Sequence, residues 1–204
     1  MKERLLVTKN GDNLLRNTSE AFDVFNHYRS EFKKAANEHN LLSAAHAAIK
    51  LVDENVNKSI NDITEKIICK KGCSYCCYQN VSTSIGEALL LIHHCKDRKI
   101  KINWKQVREQ NKDWDKLSFK DMKCPFLAGD ECSVYEARPL VCRMYLSVDG
   151  TAEKCNTEIP NKVRLLASNI ADIITMALWN CEGEKKLYNI QSALLKAKSI
   201  YKKG

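Results

Sequence analysis

Residues 45–77 read AHAAIKLVDENVNKSINDITEKIICKKGCSYCC and hold two signals, a helical stripe and a run of thiols. Ala45, Ile49, Val52, Val56, Ile60, Ile63 and Ile67 recur at steps of three and four, which places apolar side chains on one face of an α-helix. The last turn of that stripe runs into Cys69, so the pattern predicts a long helix with a cysteine cluster at its C-terminal end. Four thiols follow within nine residues, Cys69, Cys73, Cys76 and Cys77, with Gly72 loosening the backbone after the first.

Upstream, Phe22, Phe25, Tyr28 and Phe32 repeat the same spacing and predict another helix. Downstream, a short extended piece around Val81 to Thr83 leads to Ser84-Ile-Gly-Glu87, a capping-box signature in front of Ala88-Leu-Leu-Leu-Ile92. Residues 100–118 carry Trp104, Val107, Trp114 and Leu117 among charges and read as a weaker helix. From Cys124 to Cys155, Pro125, Gly129-Asp130, Pro139 and Asp149-Gly150 break periodicity, so turns and a short hairpin are expected. Pro160 is expected to open a final helical pair. Val163, Leu166, Ile170, Ile173 and Ala177 form the first stripe, Gly183 is a stop, and Leu187, Ile190, Leu194 and Ala197 form the second. The predicted fold is mainly α: a single helical domain over 1–204 with N-terminal helices (1–68), an irregular cysteine-rich metal-binding segment (69–155) and a C-terminal helical pair (156–204) that clamp the segment between helices.

Composition excludes several classes. With 44% hydrophobic and 28% charged residues among 204, the chain is neither a disordered polymer nor a membrane protein. Ten cysteines are fewer than the roughly 8–10% of a disulfide scaffold, and a chain of this length builds a core without staples. The N-terminus has too short an apolar run for a secretory signal, so the expected compartment is the cytoplasm. There, clustered thiols are more often metal ligands or redox groups than disulfides.

The net charge of +8 is uneven. Residues 1–68 carry 10 basic and 10 acidic side chains, whereas 69–155 carry 15 and 11 and 156–204 carry 8 and 4. Nucleic acid is a possible partner for such a surface, but no nucleic-acid motif or aromatic stacking pattern accompanies the charge, and a solvated helix face is the simpler reading. No membrane partner is expected, and an unidentified protein partner remains open.

The chemistry lies in Cys69-x3-Cys73-x2-Cys76-Cys77, Cys124-x7-Cys132-x9-Cys142 and Cys155. Thiolates two to four residues apart can converge on one ion or cluster while the intervening backbone turns its N–H groups toward sulfur. Four of them complete a zinc tetrahedron or hold an iron–sulfur cube. Cys76 and Cys77 are expected to diverge, as neighbouring side chains do, and so to serve different sites or leave one thiol in reserve. Two four-thiolate sites and one cluster with a redox-active remainder both fit the count. Cys95 and Cys181 continue apolar helical stripes and read as small buried residues. His93 and His94 lack a metal-ligand spacing.

The segment resembles the bacterial YkgJ-type cysteine-cluster proteins, described as zinc- or iron-chelating and named for a CxxCxxCC-like motif. The resemblance rests on the four clustered cysteines, Val81, Glu87, Cys124-Pro125-Phe126-Leu127, Cys132-x-Val134-Tyr135-x-x-Arg138-Pro139-x-x-Cys142-Arg143, Ser147 and Cys155. It covers residues 69–155 and implies a ligand set of Cys69, Cys73, Cys76, Cys77, Cys124, Cys132, Cys142 and Cys155. A branch with a similar motif, the flagellin lysine N-methylases, looks like iron–sulfur proteins that use S-adenosylmethionine. That branch is longer, and no glycine-rich strand-to-helix turn for such a cofactor is present here. Cys69-x3-Cys73-x2-Cys76 also coincides with the radical S-adenosylmethionine spacing, but those enzymes resemble parallel α/β barrels and this chain lacks serial strand–helix units.

The leading expectation is therefore a thiolate-held iron–sulfur cluster, of the [4Fe–4S] type, or zinc, in a redox, sensing or structural role. Lys70, Lys71, Arg138 and Arg143 stand beside the thiols, where positive charge favours thiolates and an anionic centre. Arg138 and Arg143 could equally brace the irregular segment. The alternatives are a zinc-stabilised adaptor for nucleic acid or protein and a protein lysine methyltransferase-like enzyme.

Overall fold

The computed structural model describes residues 4–7, 18–39, 41–156, 158, 162–166, 168–181 and 188–201. Their α-helices are α1 (Thr18–His39), α2 (Leu41–Asp62), α3 (Ile85–Asp97), α4 (Trp104–Lys112), α5 (Leu140–Met144), α6 (Asn169–Cys181) and α7 (Ile190–Tyr201). The strands are short: β1 (Arg4–Val7), β2 (Ser82–Thr83), β3 (Leu127–Ala128), β4 (Glu131–Cys132), β5 (Val163–Leu166) and β6 (Tyr188–Asn189). The predicted mainly α fold, with the cysteine run between helices, is what the chain adopts.

Two apolar clusters organise the helices. In the first, α1, α2 and α6 pack together through Phe32, Ala44, Ala45, Ala48, Val52, Ile174 and Leu178, with Leu140 and Met144 of α5 beneath them. The alanines let the helix backbones approach, and each fully buried leucine, isoleucine or phenylalanine contributes about 1.5–3 kcal/mol. In the second, α3, α4 and α7 meet through Leu91, Cys95, Val107, Ala193, Leu194 and Ala197, and Phe126 and Val134 from the irregular segment join them. Helix α3 links the two. It also packs on α2, Leu90 belongs to the first cluster, and every residue from Ile85 to Ile92 is buried. A helix apolar on nearly all sides belongs in the centre of a protein.

The capping box forms as expected: the Ser84 hydroxyl accepts from Glu87 N–H and the Glu87 carboxylate accepts from Ser84 N–H. The expected hairpin is the antiparallel pair β3–β4, turned at Gly129 with φ +58°. A Cβ on Gly129 would meet nothing within 4 Å, so substitution there strains only the backbone. Gly129→Val should cost about 1–2 kcal/mol in a urea titration, and an unchanged midpoint would contradict this assignment.

Two expectations need correcting. Helix α2 ends at Asp62, so the thiols do not follow directly from a helix. Ile63 and Ile67 still pack on the first cluster from a non-helical stretch, and Ile68 N–H donates to Ser147 C=O at 3.1 Å. The second correction is at Val163–Leu166, expected to be helical: it is strand β5, parallel to β1 in the register Arg4↔Val163 to Val7↔Leu166. On its other side Val148 N–H donates to Arg164 C=O and Leu166 N–H to Leu146 C=O, so long-range backbone pairing overrides the local pattern. Helix α6 then starts at Asn169 and buries Ala171, Ile174, Thr175, Ala177 and Leu178, while Ile170 and Ile173 are only partly covered. Pro160, Gly183, Leu187 and the lysines Lys185, Lys186, Lys202 and Lys203 lie outside the described residues. Among the described residues, no helix is long and apolar enough to cross a membrane.

Candidate metal centre

The thiols sit on tight turns. Cys73 N–H donates to Lys70 C=O at 3.1 Å across Gly72, whose φ of +89° suits glycine. Cys76 and Cys77 occupy the 3-10 turn Tyr75–Tyr78, and Cys77 N–H donates to Ser74 C=O at 2.8 Å. Cys124 is fastened to that turn, its N–H donating to Cys77 C=O at 2.7 Å. Cys132 ends the β3–β4 hairpin and Cys142 lies in α5. Cys155 ends the 3-10 turn Ala152–Cys155, which packs on the Tyr75–Tyr78 turn.

Backbone N–H groups act on four of the sulfurs. Ser147 N–H donates to Cys69 Sγ at 3.1 Å. At Cys73, Cys124 and Cys132 the N–H two positions on, of Tyr75, Phe126 and Val134, lowers the thiol's pKa. Such donors favour thiolate over thiol. Desolvation works against them and is the larger effect, pushing Cys69 up to about 11 and Cys124 up to about 12 and raising Cys73, Cys132 and especially Cys142. Buried sulfurs with N–H groups aimed at them, and acidity suppressed by lack of water, suit a soft cation that replaces the proton. The donor set therefore fits zinc or iron and does not fit magnesium or calcium, which take oxygen ligands.

The backbone brings the cysteine-bearing turns side by side: the Tyr75–Tyr78 turn packs on Ala152–Cys155, and Cys124 is tied to Cys77. Neighbouring thiols add to the suppression of acidity, Cys155, Cys76 and Cys73 at Cys69, and Cys76, Cys124 and Cys132 at Cys142. Cys76 is exposed to solvent, and the adjacent Cys77 thiol is the main reason its acidity is suppressed. Among the described residues, no three His, Cys, Asp or Glu side chains already converge as a metal-holding group.

The four basic residues differ in their surroundings. Arg138 lies over the Tyr135 ring, 3.9 Å from guanidinium carbon to centroid, and its charge favours the thiolates of Cys76, Cys132 and Cys142. Its Nε is buried without a hydrogen-bond partner. Lys70 lowers Cys73 electrostatically, and Lys71 is exposed. Arg143 is buried and braces the segment: Nε donates to Arg138 C=O, another nitrogen to Glu136 C=O, and a third to Asp53 of α2 at 2.8 Å.

Residues 68–162 match the family model for CxxCxxCC, a putative zinc- or iron-chelating domain. This segment is similar to that domain. The match supports metal binding by the segment, and all eight clustered cysteines lie within it. No curated protein and no solved structure matches the chain. The segment is held in place by a residue read from sequence as a helix cap and as part of the family resemblance. Glu87, 1% exposed, accepts from Leu140 N–H at the start of α5 and from the Trp179 indole of α6 as well as from Ser84 N–H. Its place in the capping box was visible locally, whereas partners 53 and 92 residues away were not. Cys95 is buried in α3, where burial and the Cys132 thiol push it up to about 11, and Cys181 packs on the first apolar cluster.

Proposed function

We propose that the protein is a thiolate metalloprotein with an iron–sulfur cluster of the four-iron type on Cys69, Cys73, Cys76 and Cys155, in a redox or sensing role. What supports the reading is the close spacing of Cys69, Cys73 and Cys76 in one loop, together with the packing of the turn that ends at Cys155 on the turn that carries Cys76. A cube of iron and sulfide takes four thiolates in this way. The group, when bound, supplies one-electron chemistry. The chain supplies the four sulfurs, the Ser147 and Tyr75 N–H groups that stabilise thiolate, and the positive charge of Lys70. Exposure of Cys76 leaves a short path to the surface for electrons or a small oxidant.

Part of the basic surplus has a local use. Lys198 lies 3.8 Å from the Trp104 ring centroid and Lys196 lies 4.5 Å from that of Tyr188, contacts worth about 0.5–1 kcal/mol each at exposed sites. This supports a solvated face over a nucleic-acid surface. Anaerobically purified protein should be brown, contain about four iron and about four acid-labile sulfide per chain, and lose visible absorbance on reduction. Colourless protein with zinc and no iron would overturn the iron–sulfur reading.

A further inference from the structure

From the end of α3 into α4 the chain reads Arg98-Lys-Ile-Lys-Ile-Asn-Trp-Lys-Gln-Val-Arg108, five basic side chains and no acid in eleven residues. The fold turns them toward water. Ile100 and Ile102 pack on the second apolar cluster, which leaves Lys99 and Lys101 exposed between them. In α4, Val107 and Gln110 are buried, and Lys105, Arg108 and Lys112 are exposed at helical spacing. Glu109 is the one acid in that helix. Among the described residues, no ion pair forms at Lys99, Lys101, Lys105 or Arg108.

Two of these charges work against the fold. Lys99 has φ +56° in the turn that closes α3, where Ile100 N–H reaches back to Cys95 C=O at 2.8 Å. Glycine suits that left-handed position, and a lysine there strains the backbone. The α3 dipole favours cations at its end, which accounts for Lys96 and Arg98 but not for a lysine in a glycine conformation. Lys105 lies in the first turn of α4, one residue after Trp104, at the positive end of a helix whose first turn holds no acid. Local rules broken twice in one exposed row mark a surface kept for a purpose other than folding.

We propose that Lys99, Lys101, Lys105 and Arg108 dock an acidic segment of a partner protein. Charge complementarity selects an anion. The neighbouring rings select protein over single-stranded nucleic acid: Trp104, Tyr188 and Tyr201 are each covered by an ammonium, from Lys198, Lys196 and Lys96, and His93 packs edge-on against Tyr201, so the rings are spent and do not offer faces to bases. Beside them Ile200 of α7 is 46% exposed, a foothold for an apolar side chain within an acidic segment. The Arg98–Glu136 pair, 3.2 Å long, joins this surface to the Tyr135–Ala137 turn between Cys132 and Cys142, so a docked partner lies against the cysteine segment. The proposal is independent of which metal that segment holds.

The test is fluorescence anisotropy of the full-length protein with a labelled peptide in which leucine recurs at every fourth position among glutamates. Binding should weaken as salt is added and should be tighter than that of an oligothymidylate of equal charge or of phosphatidylserine vesicles. Lys99→Gly and Lys105→Glu should each weaken it about three- to tenfold while Tm equals or exceeds that of wild type, because each change relieves a cost to the fold. No binding, binding that ignores salt, or tighter capture of the oligonucleotide or the vesicles would overturn the proposal. Unchanged affinity in both variants would do the same, as would a lowered Tm in both, which would show that these charges serve the fold.

Discussion

Replacing Glu87 with alanine should lower folding stability by about 3–5 kcal/mol, read as a shift in urea midpoint with little change in slope. The carboxylate is buried and accepts three hydrogen bonds, from Ser84 N–H at 2.8 Å, Leu140 N–H at 2.8 Å and Trp179 Nε1–H at 3.0 Å. Alanine leaves the Leu140 N–H and the indole N–H without an acceptor in a place water reaches poorly, and removes half of the capping box. Hydrogen bonds to a charged group are worth about 1.5–3 kcal/mol each, and the relaxation of Trp179, only partly buried, keeps the total below their sum. Glu87→Gln should fall between, because its carbonyl can keep one or two donors while its NH2 meets another N–H. A loss under about 1 kcal/mol for alanine would show that Glu87 does not anchor α5. Because Leu140 N–H begins the helix that carries Cys142, bound metal should fall alongside stability.

Arg143→Ala should cost about 2–4 kcal/mol, and Arg143→Lys nearly as much. The guanidinium reaches three acceptors at once: the carbonyls of Glu136 and Arg138 in the turn before α5, and Asp53 of α2. Lysine has a single ammonium point and cannot span that fork. Asp53 is 42% exposed on its side chain against 8% for Arg143, so the ion pair itself is partly screened and the carbonyl contacts dominate. Asp53→Ala should therefore cost no more than about 1 kcal/mol. Thermal or urea unfolding of the three variants checks the order, and an Arg143→Lys variant as stable as wild type would refute the bracing role.

The predicted helices in the described residues were legible where the code is local. Steps of three and four residues in Ala45 to Ile60, and Ser84 with Glu87 three positions on, specify their helices through contacts within a few turns. The same spacing misled at Ile63 and Ile67, because an apolar side chain in a bent segment can face the same cluster as one in a helix. Nothing within Val163–Leu166 distinguished a strand from a helix. Its partners are β1 and residues 146–148, and hydrogen bonds from distant backbone outweigh a weak local preference.

Cysteine identity and spacing by themselves determined that this segment is built to bind a thiophilic metal, because ligand number and turn length are properties of the chain. Which backbone segments carry the thiols side by side was decided only by the tertiary structure. The turn that ends at Cys155 packs on the turn of Cys76 and Cys77, Cys124 N–H is tied to Cys77 C=O, and Cys142 lies on a helix anchored by Glu87 and Arg143. Each of these meetings depends on helices packing elsewhere in the molecule, which no spacing along the chain encodes.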